Sequence, residues 1–224
     1  MNTKEKFVIT VSRELGSGGH TIARKLAERL QVRLCDKELI KELCEKFDLT
    51  STSIERLKGQ KKQWLADFIR FIFPAPAPAA SGFVGAERIR EIKKEFDPEV
   101  TTDDIFLAET EILRELAQEE SCVITGRSGF FVLKDHPNKL DIFIQSSFSN
   151  RVSRVMERQG KNAEEAEKII RRVDEMRENY VQRYTSTSRY DSRNYDLVLN
   201  VDGLSSDEAV DIILAYIKAQ GKAI

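Results

Sequence analysis

Histidine and cysteine are both scarce in this chain, with two and three residues among 224. Two histidines exclude a histidine-rich metal centre. The cysteines, Cys35, Cys44 and Cys122, form an odd set without metal-ligand spacing, and each has apolar neighbours. They read as reduced thiols in a core. No apolar run approaches the ~20 residues that a membrane-spanning helix needs. The first residues lead straight into an apolar strand with no signal-peptide pattern, so a cytoplasmic protein without a membrane partner is expected. An excess of either charge is also lacking. Thirty-six Lys and Arg stand against 37 Asp and Glu, a net charge of −1, which argues against broad binding to nucleic acid.

What the chain does have is a buried-strand pattern followed by glycines. Residues 7–11, FVITV, form a near-continuous apolar run, the pattern of a strand covered on both faces. Gly16, Gly18 and Gly19 follow within four residues, and then Ile22, Ala23, Leu26, Ala27 and Leu30 recur at helical spacing. Strand, glycine loop and helix make a phosphate cradle, because backbone N–H groups can close on an anion at a helix N-terminus. Against the pattern GxxxxGK[ST] the chain departs twice: Arg13 takes the place of the first glycine and Gly19 that of the lysine. The motif alone leaves a plain glycine-rich turn equally open.

Further along, residues 32–35 form a short second strand ending at Asp36, with an amphipathic helix after it through Leu39, Ile40, Leu43 and Phe47. Asp36 lies where open α/β sheets bind ligands, and it is as good an N-cap for the next helix. The region at about residues 50–100 differs in character. It holds Lys58, Lys61 and Lys62, an apolar stretch at 64–73, and PAPAPAASG at 74–82, which fits neither a regular helix nor a central strand. It reads as an inserted cap with a mobile loop. Its apolar stretch reads as core or a homodimer contact, with a ligand lid as the other reading.

A helix is expected over 103–118 and strands over 122–125, 140–144 and 197–201. Further helices are expected over 147–158, 163–184 and 206–220, the last capped by Ser205 or Ser206. Five short buried strands alternating with helices predict a three-layer α/β/α domain with a parallel sheet, spanning 1–224 as one unit.

Basic groups fall where phosphoryl transfer would use them, since that chemistry asks a protein for alignment and positive charge. Arg13 lies in the loop, and Arg127 lies just past the third strand. Arg151, Arg154, Arg158, Arg171, Arg172 and Arg177 lie between strands four and five, the lid region at about 150–190. Interleaved acids, Asp174 among them, offer the alternative of helix-surface pairs. Tyr180, Tyr184 and Thr185 read as packing residues, with adenine or ribose contact as the other reading. His20 either donates to a phosphate or caps the turn.

SRELGSGGHTIARKLAERL, CDKELI, TGRSGFFVL and the tail from RVSRVMERQG to NYDLVLNVDGLSSDEAVDIIL resemble the cytidylate kinase-like family, relatives of bacterial cytidylate kinases among the P-loop nucleoside monophosphate kinases. The resemblance covers nearly the whole chain, least well residues 59–100. It implies a P-loop NTPase fold with sheet order 2-3-1-4-5, a helical insertion that binds the acceptor, and a basic lid. It implies ATP and Mg2+ as cofactors and a small phosphoryl acceptor, with CMP the first expectation. Gly16, Ser17, Gly18, Gly19, His20 and Thr21 then form the nucleotide loop, and Thr21 also serves the metal shell. Arg13 supplies the charge of the absent lysine, and Asp36 and Arg127 face the acceptor. Arg154, Arg158, Arg171 and Arg177 correspond loosely to lid arginines, although the RDxxDSxR lid signature of cytidylate kinases is not reproduced. Two rivals follow: a nucleotide-binding sensor that lost the chemistry, and a kinase for a non-nucleotide acceptor.

Overall fold

The computed structural model describes residues 1–36, 106, 110, 113, 114 and 116–220. The chain divides into two compact units, Met1–Asp36 with Leu113–Ile224, and Lys37–Ile112. The helix expected through Leu39–Phe47, the insertion with its apolar stretch and proline-rich loop, Cys44 and most of the helix expected over 103–118 lie outside the described residues.

The first unit is built on a five-stranded sheet in the order β2-β3-β1-β4-β5, with every pairing parallel. Its strands are β1 (Val8–Arg13), β2 (Arg33–Cys35), β3 (Cys122–Thr125), β4 (Lys139–Gln145) and β5 (Leu197–Asn200). The helices are α1 (Gly19–Leu30), the one-turn α2 (Gly129–Val132), α3 (Phe148–Gln159), α4 (Ala163–Thr185) and α5 (Ser206–Ala219). Capping boxes start the two long late helices: Asn162 with Glu165 on α4, and Ser205 with Glu208 on α5.

One face of the sheet is apolar. Ile9, Val11, Leu140, Ile142 and Ile144 pack against Ile22, Ala23 and Leu26 of α1 and Ala209, Val210, Ile213 and Ile217 of α5. The alternation along each strand sends the intervening residues to the other face. That face is partly polar. Thr10 Oγ1 donates to Asp141 at 2.5 Å, Lys139 pairs with Asp141 at 2.6 Å, and Phe143 packs on Tyr190 and Tyr195. A smaller apolar cluster, Val152, Val155, Ala166 and Ile170, joins α3 to α4.

Two expectations need correction. The outer strands are not buried on both faces: β5 alternates half-buried Leu197 and Leu199 with exposed Val198 and Asn200, and β2 begins exposed. Among the described residues each of these strands pairs along one edge only. Arg13 is also not a loop residue. β4 is seven residues long and carries the β1 pairing up to Arg13↔Ile144, so Arg13 ends the strand.

Candidate phosphate-binding site

The C-terminal edge of β1 and β3 is where the glycine loop, Asp36 and Arg127 converge. Between β1 and α1, residues 14–18 turn on Gly16 and Gly18, both in the left-handed region (φ 81° and 83°). Gly16 has a second reason to be glycine, because a Cβ there would lie 2.7 Å from the Arg151 carbonyl oxygen. Ser17 Oγ closes the turn by donating to Glu14 O at 2.9 Å, while Gly19 N–H donates to Ser17 Oγ at 3.3 Å. The N-cap of α1 is Gly18, which has no side chain to cap with.

The loop is gripped from behind by arginines. Arg177 Nη1 donates to Arg13 O at 3.0 Å, and Arg189 Nη2 donates to the same oxygen. Arg151 Nη1 donates to Leu15 O at 3.4 Å and Arg154 Nη1 to Ser17 O at 2.8 Å. In a planar trans peptide the carbonyl and the next N–H point opposite ways. Each held carbonyl therefore turns the next N–H, of Gly16 or of Gly18, away from the arginine that holds it.

One buried carboxylate gathers three of these cations. Asp174, on α4, accepts the Leu15 N–H at 3.1 Å, pairs with Arg151, and lies 4.0 Å from Arg177 Nη1 and 3.7 Å from Arg189 Nη1. The expectation that Asp174 forms a helix-surface pair is therefore corrected. It faces inward at 7 % exposure, as does Arg151. Arg177 has a pKa well below the ordinary arginine value, first because it is desolvated and then because Arg13 and Arg189 repel its charge.

Arg13 itself runs through a slot between two glycines. A Cβ on Gly19 would fall 2.6 Å from Arg13 Cβ, and one on Gly126 would fall 2.2 Å from its Nη1. Burial lowers its pKa to about 10, with Arg127 and Arg189 adding to the depression and Asp36 opposing it. Arg13 is thus a desolvated cation that stays protonated at neutral pH. Beyond the slot, Gly126, Arg127 and Ser128 are three consecutive left-handed residues (φ 74°, 59° and 52°). Two of them are not glycine, a backbone strain of the kind that gathers at functional sites. Asp36 accepts from His20 Nδ1 at 3.0 Å. Burial alone would raise the Asp36 pKa, but the His20 bond and the charges of Arg13 and Arg127 outweigh it and hold the carboxyl below its usual value.

On the other side of the loop, a cavity of about 190 Å³ is lined by Ser17, Gly18, Thr21, Arg154, Arg158 and the turn around Leu204. Apart from Arg177, which holds the Arg13 carbonyl, the sequence-derived residues fall into three groups. Arg13, Asp36, His20 and Arg127 gather on one side of the loop, while Thr21, Arg154 and Arg158 line the cavity on the other. Arg171 stands apart, 70 % exposed, 3.8 Å from Glu167 and stacked 4.5 Å above the Phe148 ring. Thr185 donates back to Val181 O within its helix, and the Tyr180 ring packs on Tyr184 at 5.0 Å. Sequence reasoning missed Arg189, which follows α4 in a stretch without a motif, and the α2 turn after Ser128. Among the described residues no group of three or more acidic, cysteine or histidine side chains is placed to hold a metal ion, and no helix is long and apolar enough to cross a membrane.

Comparison with known proteins agrees with this geometry. The sequence profile of the cytidylate kinase-like family matches residues 8–203. A cytidylate kinase from Pyrobaculum neutrophilum is 29% identical over 214 residues, which is 94% of this chain and 92% of that protein. Among solved structures, an uncharacterized protein from Eubacterium ventriosum superposes with a TM-score of 0.64 at 27% identity, over 95% of this chain and 99% of that one. A shikimate kinase from Bacteroides thetaiotaomicron shares the fold at a TM-score of 0.52 and 15% identity, over 95% and 98%. The sheet order and these neighbours make the fold that of the P-loop kinases, and the chain belongs to the cytidylate kinase-like family.

Proposed function

We propose that the protein is an ATP-dependent phosphotransferase that moves the γ-phosphoryl group to a small acceptor, with a nucleoside monophosphate such as CMP the first acceptor to test. The observation that carries this reading is Arg13 in its glycine slot. The lysine that P-loops aim at the β- and γ-phosphates has no room at position 19, because a side chain there would meet Arg13 Cβ. The cation has moved to the end of β1, where it is desolvated, charged at neutral pH, and next to the glycine loop. A preorganised cation in a water-poor site stabilises charge that develops on a transferred group.

In this reading the N–H groups of Gly16 and Gly18 and the start of α1 receive the donor phosphates. The cavity beside Thr21, Arg154 and Arg158 receives the rest of the donor. Arg127, held at a strained position, and Asp36, held by His20, orient the acceptor. The donor set suits magnesium, which keeps most of its coordination for water and phosphate: the Thr21 hydroxyl would hold it together with phosphate oxygens, and the ion would supply further charge neutralisation there. The family assignment and the P. neutrophilum cytidylate kinase support the choice of acceptor.

The test is a chromatographic assay with ATP and magnesium against CMP, dCMP, UMP, AMP and GMP, with Arg13→Ala beside the natural protein. Conversion of a pyrimidine monophosphate, with turnover about 10²–10³-fold lower in Arg13→Ala, is the expected outcome. Binding of ATP without conversion of any nucleotide would replace this reading with a sensor or a kinase for another acceptor.

A further inference from the structure

We propose that Arg189 is a positioning residue of the phosphate site, one that fixes the Arg13 side chain by holding its main-chain carbonyl from behind. The proposal rests on the reading of Arg13 given above. Arg189 is 3 % exposed and comes from the segment that follows α4, outside the loop and outside every motif. Its Nη2 donates to Arg13 O. Its guanidinium lies over the rings of Tyr190 and Phe143, 5.1 and 5.8 Å from their centroids. Its own backbone is fixed at both ends: the N–H donates to Glu178 at 3.1 Å, and the carbonyl accepts from the Tyr195 hydroxyl at 2.7 Å.

Stability does not account for this arrangement. Burying a guanidinium is costly unless it is well paired. Here Arg151, Arg177 and Arg189 share Asp174, and Arg189 Nη1 finds no hydrogen-bond partner among the described residues, lying 3.7 Å from that carboxylate. Arg151 also has Glu14 at 3.7 Å, and Arg13 adds a further buried cation to the group, faced by Asp36. A packed apolar side chain would be the cheaper occupant.

Geometry gives the cluster its use. Arg13 is the last residue of β1, so the direction of its carbonyl is tied to the torsions from which its own side chain leaves the strand. Arg177 and Arg189 occupy that carbonyl together and so lock the last strand torsion. The slot between Gly19 and Gly126 encloses the Arg13 side chain from its Cβ to its guanidinium. Repulsion among Arg13, Arg177 and Arg189 is relieved when an anion arrives, so the same clamp favours a multiply charged phosphate chain over a neutral ligand.

A double-mutant cycle tests this, with kcat and KM for magnesium–ATP measured for the natural protein, Arg13→Ala, Arg189→Ala and the double variant. Arg189→Ala is expected to lower kcat/KM by about tenfold, mainly through kcat, and to add less than about twofold once Arg13 is already alanine. Natural-type constants for Arg189→Ala, or losses that multiply in the double variant, would overturn the proposal while leaving the reading of Arg13 intact. An Arg13→Ala variant with natural constants would instead overturn both. If circular dichroism finds Arg189→Ala unfolded, Arg189→Lys goes through the same cycle under the same criteria.

Discussion

The apolar face of the sheet and the charged edge of the glycine loop are built by opposite rules. On the apolar face, Ile9, Ile142, Ile144, Ile213 and Ile217 are fully enclosed, and each gains about 1.5–3 kcal/mol by leaving water. At the edge, Arg151, Arg177 and Arg189 crowd around Asp174 beside Arg13, and the depressed pKa values of Arg13 and Arg177 record what their burial costs. A guanidinium whose folded pKa is lowered opposes folding at neutral pH, and that opposition fades only as pH rises past the folded value. The first region therefore holds the fold together, and the second draws on that stability to keep buried charge at the edge of the sheet.

Three perturbations would break or sharpen this contrast. The largest effect is expected from Asp174→Ala, which strands several buried cations at once. Urea unfolding should find a loss of about 3–5 kcal/mol, together with loss of turnover. A variant that is as stable as the natural protein would mean that the carboxylate is not the organiser of the edge. Next is Ile213→Ala, a cavity beneath α5 on the apolar face, with an expected cost of about 2–5 kcal/mol. Turnover per folded molecule should stay within about twofold of normal if the two regions are separate. Smallest is Arg171→Ala, which removes an exposed pair and a stacked guanidinium. A stability change within about 0.5 kcal/mol and unaltered kinetics are expected, and a large drop in turnover would put Arg171 back in the site.

Acid sharpens the contrast further. The Asp36 carboxyl sits below its ordinary pKa, so its contribution to stability is present above the unfolded value and disappears as pH falls through the folded one. His20→Ala removes the bond from Nδ1 and should move the Asp36 titration upward in a carboxyl NMR experiment. An unchanged titration would leave Arg13 and Arg127 as the groups that keep Asp36 ionised.

Much of the fold was legible because it depends on local pattern. Residues 7–11 and the spacing of Ile22, Ala23, Leu26 and Ala27 specify a strand and a helix without reference to the rest of the chain. The order of the strands came with the family resemblance. Edge exposure was harder, since Leu197 to Asn200 reads as apolar until its one-sided pairing is known. The site was legible where glycine loop, Asp36 and Arg127 follow their strands. Asp174 and Arg189 were not, because nothing in their neighbours distinguishes a buried charge from a solvated one. Only the folded arrangement brings an α4 carboxylate and a post-helix arginine onto the Arg13 carbonyl, 176 residues away for Arg189.

The slot that Arg13 occupies also limits which sequences this lineage can reach next. A lysine introduced at position 19 would drive its Cβ into Arg13 Cβ, and, on the function proposed above, removing Arg13 first would leave the donor phosphates without that cation. If Arg13 has the role proposed above, either single step passes through an impaired protein, and only a paired exchange joins this arrangement to the usual P-loop one.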